Sequence, residues 1–167
     1  YRLRADVQIA PVEDRIVLRG LGAAPDGAFP DPRHPSLGWR CLARPDAQAE
    51  AGGIDWTALR VAACVPESGI ELVPGESFIL EAGFARLNGV DFRKGCYVGQ
   101  EVTARMHHKT ELKKGLATVE VEGAAPVGTP IEASGKAAGT LYSQADGRGI
   151  AYLRYDRAGD EMTAGEA

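Results

Sequence analysis

The sequence predicts an α+β protein in two parts, a helix-containing body over residues 1–111 and a small antiparallel β-barrel over 112–167. Three observations carry this. IDWTALRVAACVP (54–66) places apolar residues at Ile54, Ala58, Leu59, Val61, Ala62 and Val65, a helical spacing stopped by Pro66. CYVGQEVTARMHH (96–108) is a second run without proline, with Tyr97, Val98, Val102 and Met106 as its packing face. After Lys114 the texture changes to short alternating segments punctuated by Gly and Pro about every ten residues, the rhythm of a small sheet or barrel.

The elements follow in order. LRADVQI (3–9) and RIVLRG (15–20) are predicted strands, separated by a turn at Pro11 and Glu13–Asp14. From Leu21 to Gly53 the chain is rich in Gly, Pro and Ala, and LGWRCLA (37–43) is its single expected strand among loops. The helix at 54–66 comes next. ESFILEAGFARL (76–87) is ambiguous between a short helix and a strand, NGVDFRKG (88–95) is a loop, and the helix at 96–108 leads to the boundary. The later strands are GLATVEVEG (115–123), TPIEAS (129–134), AAGTLYSQ (137–144) and GIAYLRYD (149–156), and the polar GDEMTAGEA is too weak for another.

Composition narrows the function. The 167 residues are 44% hydrophobic and 25% charged, ordinary for a globular chain with a real core. A formal net charge of −4 disfavours polyanions, so direct nucleic-acid binding is not expected. No run of 18 apolar residues is present, and no membrane association is expected. The first residues lack the apolar stretch of a signal peptide and the chain has no initiator methionine, so we expect it to begin inside a larger protein. Cys41, Cys64 and Cys96 are odd in number, widely spaced and without a CxxC, which fits a reducing compartment: the cytoplasm, or a mitochondrial matrix.

Chemistry centres on Cys96 in RKGCYVGQEVTARMHHK (93–109). The reactive form of cysteine is the thiolate, which a helix N-terminus and nearby cations favour. A helix beginning near Cys96 would aim free backbone N–H groups at the sulfur, and Arg93 and Lys94 would add positive charge. The competing reading is a small buried filler, the common fate of a free cysteine. A zinc site with His107 or His108 fails on distance, since eleven helical residues span roughly 16 Å; no stably bound metal is expected.

Gly99 inside a helix would cost about 1 kcal/mol relative to alanine, so it needs a close backbone approach or tight packing as its reason. Glu101 and Arg105, four apart, read equally well as a surface ion pair. Glu81 in LEAG is an isolated carboxylate, either exposed or buried with a partner; a heterocycle presenting an amino group beside a ring N–H would satisfy both its oxygens. SGKAAGTLYS (134–143) lacks the Walker spacing and reads as a hairpin with Gly135 and Gly139 at strained positions. HHKTELKK (107–114) reads as a solvated helix end.

KGCYVGQE (94–101), continuing through VTARMHHK, resembles the signature of the YgfZ-type folate-binding proteins, relatives of the glycine-cleavage T-protein that include mitochondrial iron–sulfur assembly factors. DPRHPSLGWR (31–40), VPESG (65–69), GKAAGTLYS and IAYLRYD are similar to further segments of that family. The resemblance implies a T-protein-like folate-binding body, incomplete here at its N-terminus, followed by the barrel. It implies tetrahydrofolate as cofactor, a role in assembly or repair of iron–sulfur proteins (indirectly, of tRNA modification), and iron–sulfur assembly proteins or client enzymes as partners of a monomer. On the resemblance, Cys96 and Lys94 carry the chemistry, with Lys94 and the helix entrance keeping the thiol ionised. Glu81 holds the pterin edge, and Tyr97, Gly99, Gln100, Glu101 and Arg105 complete the folate contacts. Cys64 stands where relatives more often have glycine and takes no role. The alternatives are a folate-dependent one-carbon (aminomethyl) transferase, for which no convincing acid–base set is present, and an interaction module without ligand.

Overall fold

The computed structural model describes residues 6–47, 52–109, 111–159 and 161–165. They form a mostly β structure with two short helices, in two compact units: 1–31 with 38–53, and 32–37 with 54–167. The boundary drawn at 111/112 falls inside the second unit.

The first unit is a three-stranded antiparallel sheet of order β1-β3-β2, with β1 at Ile16–Gly20, β2 at Phe29–Pro30 and β3 at Trp39–Ala43. β1 and β3 match the expected strands, while β2 interrupts a stretch read as loop. Glycine is required where β1 meets β3, because a Cβ on Gly20 would enter the Trp39 ring. Buried Asp31 pairs with Arg40 Nε at 2.7 Å, tying the two ends of DPRHPSLGWR together. The predicted strand at 3–9 does not form over residues 6–9, and residues 3–5 lie outside the described ones.

The second unit contains α1 (Trp56–Ala62), α2 (Glu101–Lys109) and a five-stranded antiparallel sheet of order β4-β7-β6-β5-β8. Its strands are β4 (Lys114–Glu120), β5 (Thr129–Ala133), β6 (Lys136–Ala145), β7 (Arg148–Arg154) and β8 (Thr163–Ala164). The four alternating segments are all strands, and the tail judged too polar supplies β8, which pairs with β5 at Ile131 and Glu132. The sheet does not close into a barrel: among the described residues β4 and β8 remain its two edges. Nor do the described residues build a T-protein-like body.

Two hairpins set the register. Ser134–Gly135 and Asp146–Gly147 are two-residue loops with φ of 50°, 71°, 51° and 69°, the doubly left-handed turn that matches strand twist. Gly139 is different from the expectation: its backbone is not left-handed, and its missing side chain makes room for the Tyr152 carbonyl on β7.

Each face of the sheet buries its own core. Ile131, Ala138, Leu141, Ala151 and Leu153 pack on one side. Ile150 on the other meets Val61 and Cys64 from the α1 segment. Asp55 caps α1, accepting from the Ala58 N–H at 2.8 Å. The helix ends at Ala62, before Pro66, because Cys64 turns left-handed at φ 48°. The Cys64 N–H donates to the Val61 carbonyl at 3.1 Å and the Val65 N–H to that of Arg60 at 2.9 Å, the paired bonds of a Schellman cap. Residues 76–87 are neither strand nor helix but successive turns.

Candidate functional site

The 93–105 segment differs from its prediction in one consequential way. The helix begins at Glu101, so Cys96 lies five residues ahead of it and the helix entrance does not address the sulfur. The reason lies in the glycines, since Gly95 and Gly99 both take left-handed φ, 90° and 89°, incompatible with a helix. Gly99 occupies the third position of a turn closed by the Gln100 N–H donating to the Tyr97 carbonyl at 3.3 Å. The Gln100 Oε1 in return accepts from the Tyr97 N–H at 3.2 Å. Gly99 is therefore needed by the turn, and Gln100 holds that turn shut.

Cys96 is exposed, which removes the buried-filler alternative. Lys94 Nζ sits 5.1 Å from the centre of the Tyr97 ring, a cation–π distance. Most of the expected packing face is not packed: Tyr97, Val98 and Val102 are 38%, 82% and 52% exposed, and only Met106 is half-buried. Glu101 and Arg105 are exposed, and among the described residues they form no ion pair with each other. The helix end holds a contact the sequence did not show, in that His107 stacks on Phe92 with ring centres 3.6 Å apart and planes 9° from parallel.

Glu81 stands elsewhere in the same unit, with a partner. Its backbone carbonyl accepts from the Leu116 N–H on β4 at 2.8 Å. Its carboxylate Oε2 accepts a short hydrogen bond from the Tyr152 hydroxyl on β7. Burial, then the Glu81 hydrogen bond, holds the Tyr152 phenol well above its ordinary range, so it stays a donor. No hydrogen bond or ion pair among the described residues joins Glu81 to residues 94–105.

A second polar centre escaped the sequence reading. Arg60 on α1 is buried and donates through Nη1 to Glu71 Oε2 at 2.9 Å and to the Val65 carbonyl at 3.0 Å. Its Nη2 donates to the Ser143 hydroxyl, and its Nε pairs with Glu67 at 3.1 Å. The Glu71 carboxylate also accepts from the N–H groups of Glu67 (2.9 Å) and Ser143 (3.3 Å). Ser143 falls where the β6–β7 register shifts between Leu141 and Gln144, and this irregularity frees its N–H for Glu71. The network joins α1, the VPESG loop and β6. With every charge paired inside the protein, it is a brace and not a reactive site.

Among the described residues no group of three or more His, Cys, Asp or Glu side chains could hold a metal ion. Among these residues, too, no helix is long and apolar enough to cross a membrane. A cleft of about 950 Å³ lies against β4, β5 and β8, lined in part by Val119, Ile131, Leu141 and Met162, and includes none of the predicted site residues.

Residues 113–167, which contain β4 to β8, match the family model described as CAF17, C-terminal beta-barrel domain. The mouse (Mus musculus) protein named iron-sulfur cluster assembly factor IBA57, mitochondrial, is 34% identical over 160 residues, covering 88% of this chain and 43% of the mouse protein. The human (Homo sapiens) protein of the same name is 32% identical over 180 residues, covering 92% and 51%. A homologue of that name from Mycosarcoma maydis is 38% identical over 111 residues, 62% of this chain and 27% of its own. The chain thus spans about half the length of the mammalian relatives it matches, and its similarity to them reaches well beyond the C-terminal sheet.

Proposed function

We propose that this chain belongs to a folate-binding factor that assists assembly or repair of iron–sulfur proteins, with Cys96 as its reactive thiol. The observation that carries this is the presentation of Cys96: an exposed thiol between two left-handed glycines, two residues after Lys94 in the sequence, in a segment whose apolar side chains are mostly exposed. A loop shaped for access and not for burial fits contact with a sulfur or iron species delivered by a partner. The names of the relatives support the process and, for eukaryotes, a mitochondrial setting.

Tetrahydrofolate is the ligand proposed for Glu81, whose carboxylate keeps acceptor capacity beyond its bond to Tyr152. A carboxylate accepts through about four lone-pair positions, and Tyr152 uses one, leaving acceptors for the amino group and ring N–H of a pterin. The role of Tyr97, Gly99, Gln100, Glu101 and Arg105 as folate contacts is part of the same proposal, although Gln100 and Gly99 have a turn to maintain as well. When bound, the folate would supply the one-carbon or redox chemistry of its reduced ring.

The test places Cys96→Ala, in the full-length protein, in cells lacking the native one. Iron–sulfur enzyme activity is expected to stay low while the variant accumulates normally; full restoration of activity would reject the thiol's role.

A further inference from the structure

The way Glu81 is held assigns a function to a residue on the sheet. Glu81 is gripped at two points by one cross-strand pair: Leu116 and Tyr152 face each other in the β4–β7 register. The Leu116 N–H fixes the Glu81 backbone at 2.8 Å and the Tyr152 hydroxyl fixes its carboxylate. Gly115, next to Leu116, lets this segment lie against β4, because a Cβ there would come 2.9 Å from the Glu81 carbonyl oxygen. A glutamate otherwise loses much side-chain freedom when a ligand orders it, and a hydrogen bond already made lowers that cost.

We propose that Tyr152 is a positioning residue that orients the Glu81 carboxylate for a flat heterocycle carrying an amino group beside a ring N–H. This rests on the reading of Glu81 as the pterin anchor. The donor hydroxyl takes one lone pair of Oε2 and stops rotation of the carboxylate, so that both oxygens present their remaining lone pairs along fixed directions. The phenol is the right donor because it is uncharged and its partly buried environment keeps its proton on. Tyr152 therefore makes the C-terminal sheet part of the ligand site without touching the ligand.

The experiment measures tetrahydrofolate affinity by calorimetry on the full-length protein in four forms: unchanged, Tyr152→Phe, Glu81→Ala, and both together. Tyr152→Phe should weaken binding about ten-fold. The double variant should bind no more weakly than Glu81→Ala alone, since the hydroxyl acts only through the carboxylate. A tetrahydrofolate analogue lacking the exocyclic amino group provides a control that folding defects cannot imitate: it should lose much less affinity on Tyr152→Phe than tetrahydrofolate does. Equal losses for both ligands, or a Tyr152→Phe loss that persists in the Glu81→Ala background, would mean a packing role and overturn the proposal. Unchanged affinity of Tyr152→Phe beside a weakened Glu81→Ala would overturn it while leaving the anchor standing. Failure of the unchanged protein to bind, or indifference to Glu81→Ala, would remove the anchor and the proposal with it.

Discussion

The segment from α1 to Glu71 and the segment from Phe92 to His108 lie in one compact unit and are built on opposite principles. The first buries its central ion pair: Arg60 and Glu71 are 7% and 4% exposed, with Glu67 at the surface, and the network around them is hydrogen-bonded to a loop, a helix end and a strand irregularity. The second leaves its charges and apolar side chains in solvent, with two glycines shaping the chain. Where residues hold the fold together, each has a partner within the chain. The exposed segment contacts the rest of the chain little, which makes it the functional candidate.

The contrast can be broken at its strongest point first. Arg60→Ala leaves the Glu71 carboxylate buried with its main partner gone, and should cost about 3–5 kcal/mol in urea denaturation; a loss under about 1 kcal/mol would make the brace ornamental. Cys64 comes next. It occupies the left-handed cap position, so Cys64→Val should lose about 1–3 kcal/mol, whereas Cys64→Gly should stay within about 1 kcal/mol of the parent.

A smaller effect concerns pH. Tyr142, Tyr152 and Tyr155 are all held above the ordinary tyrosine value, in each case chiefly by burial. A raised folded pKa means that above about pH 10 the unfolded chain has released protons the folded chain keeps. Their stabilisation is therefore complete below that pH and fades as pH rises through the folded values. Denaturation midpoints should fall above pH 10, less steeply in Tyr152→Phe; an unchanged slope would mean that its proton is not held by the fold. The smallest effects belong to the exposed segment, where Cys96→Ala, Glu101→Ala and Arg105→Ala should each shift stability by no more than about 0.5 kcal/mol, and the last two should add without coupling.

How much of this was legible follows the same division. The hairpin at Ser134–Gly135 was readable because a two-residue turn needs residues that tolerate left-handed φ, although Gly139 was wrongly given the same role; the second, at Asp146–Gly147, follows the same chemistry but was not picked out. The α1 helix was readable from its spacing, but its end was not, since a cysteine stands at the cap where glycine would have signalled it. The Arg60 brace was invisible because Glu71 and Ser143 lie 11 and 83 residues away, and an arginine near a helix end ordinarily reads as solvated. The β8 strand was missed because two residues owe their pairing to a neighbour and not to their own pattern. In the candidate site, the neighbours of Cys96 single it out and the structure leaves it exposed, but the helix starts at Glu101 and not at Cys96; Gly95 and Gly99 were the signal that it could not begin there. Tyr152 offered no sequence hint of its bond to Glu81, 71 residues away.

Thiol labelling in a Cys41→Ser background tests the central contrast most directly. Cys64 is buried, burial raises its pKa, and it should react only as fast as the chain unfolds. Cys96 should react in the native protein without waiting for unfolding. If Cys96 instead waits for unfolding, as Cys64 does, it is a packed residue and the account of this segment is wrong.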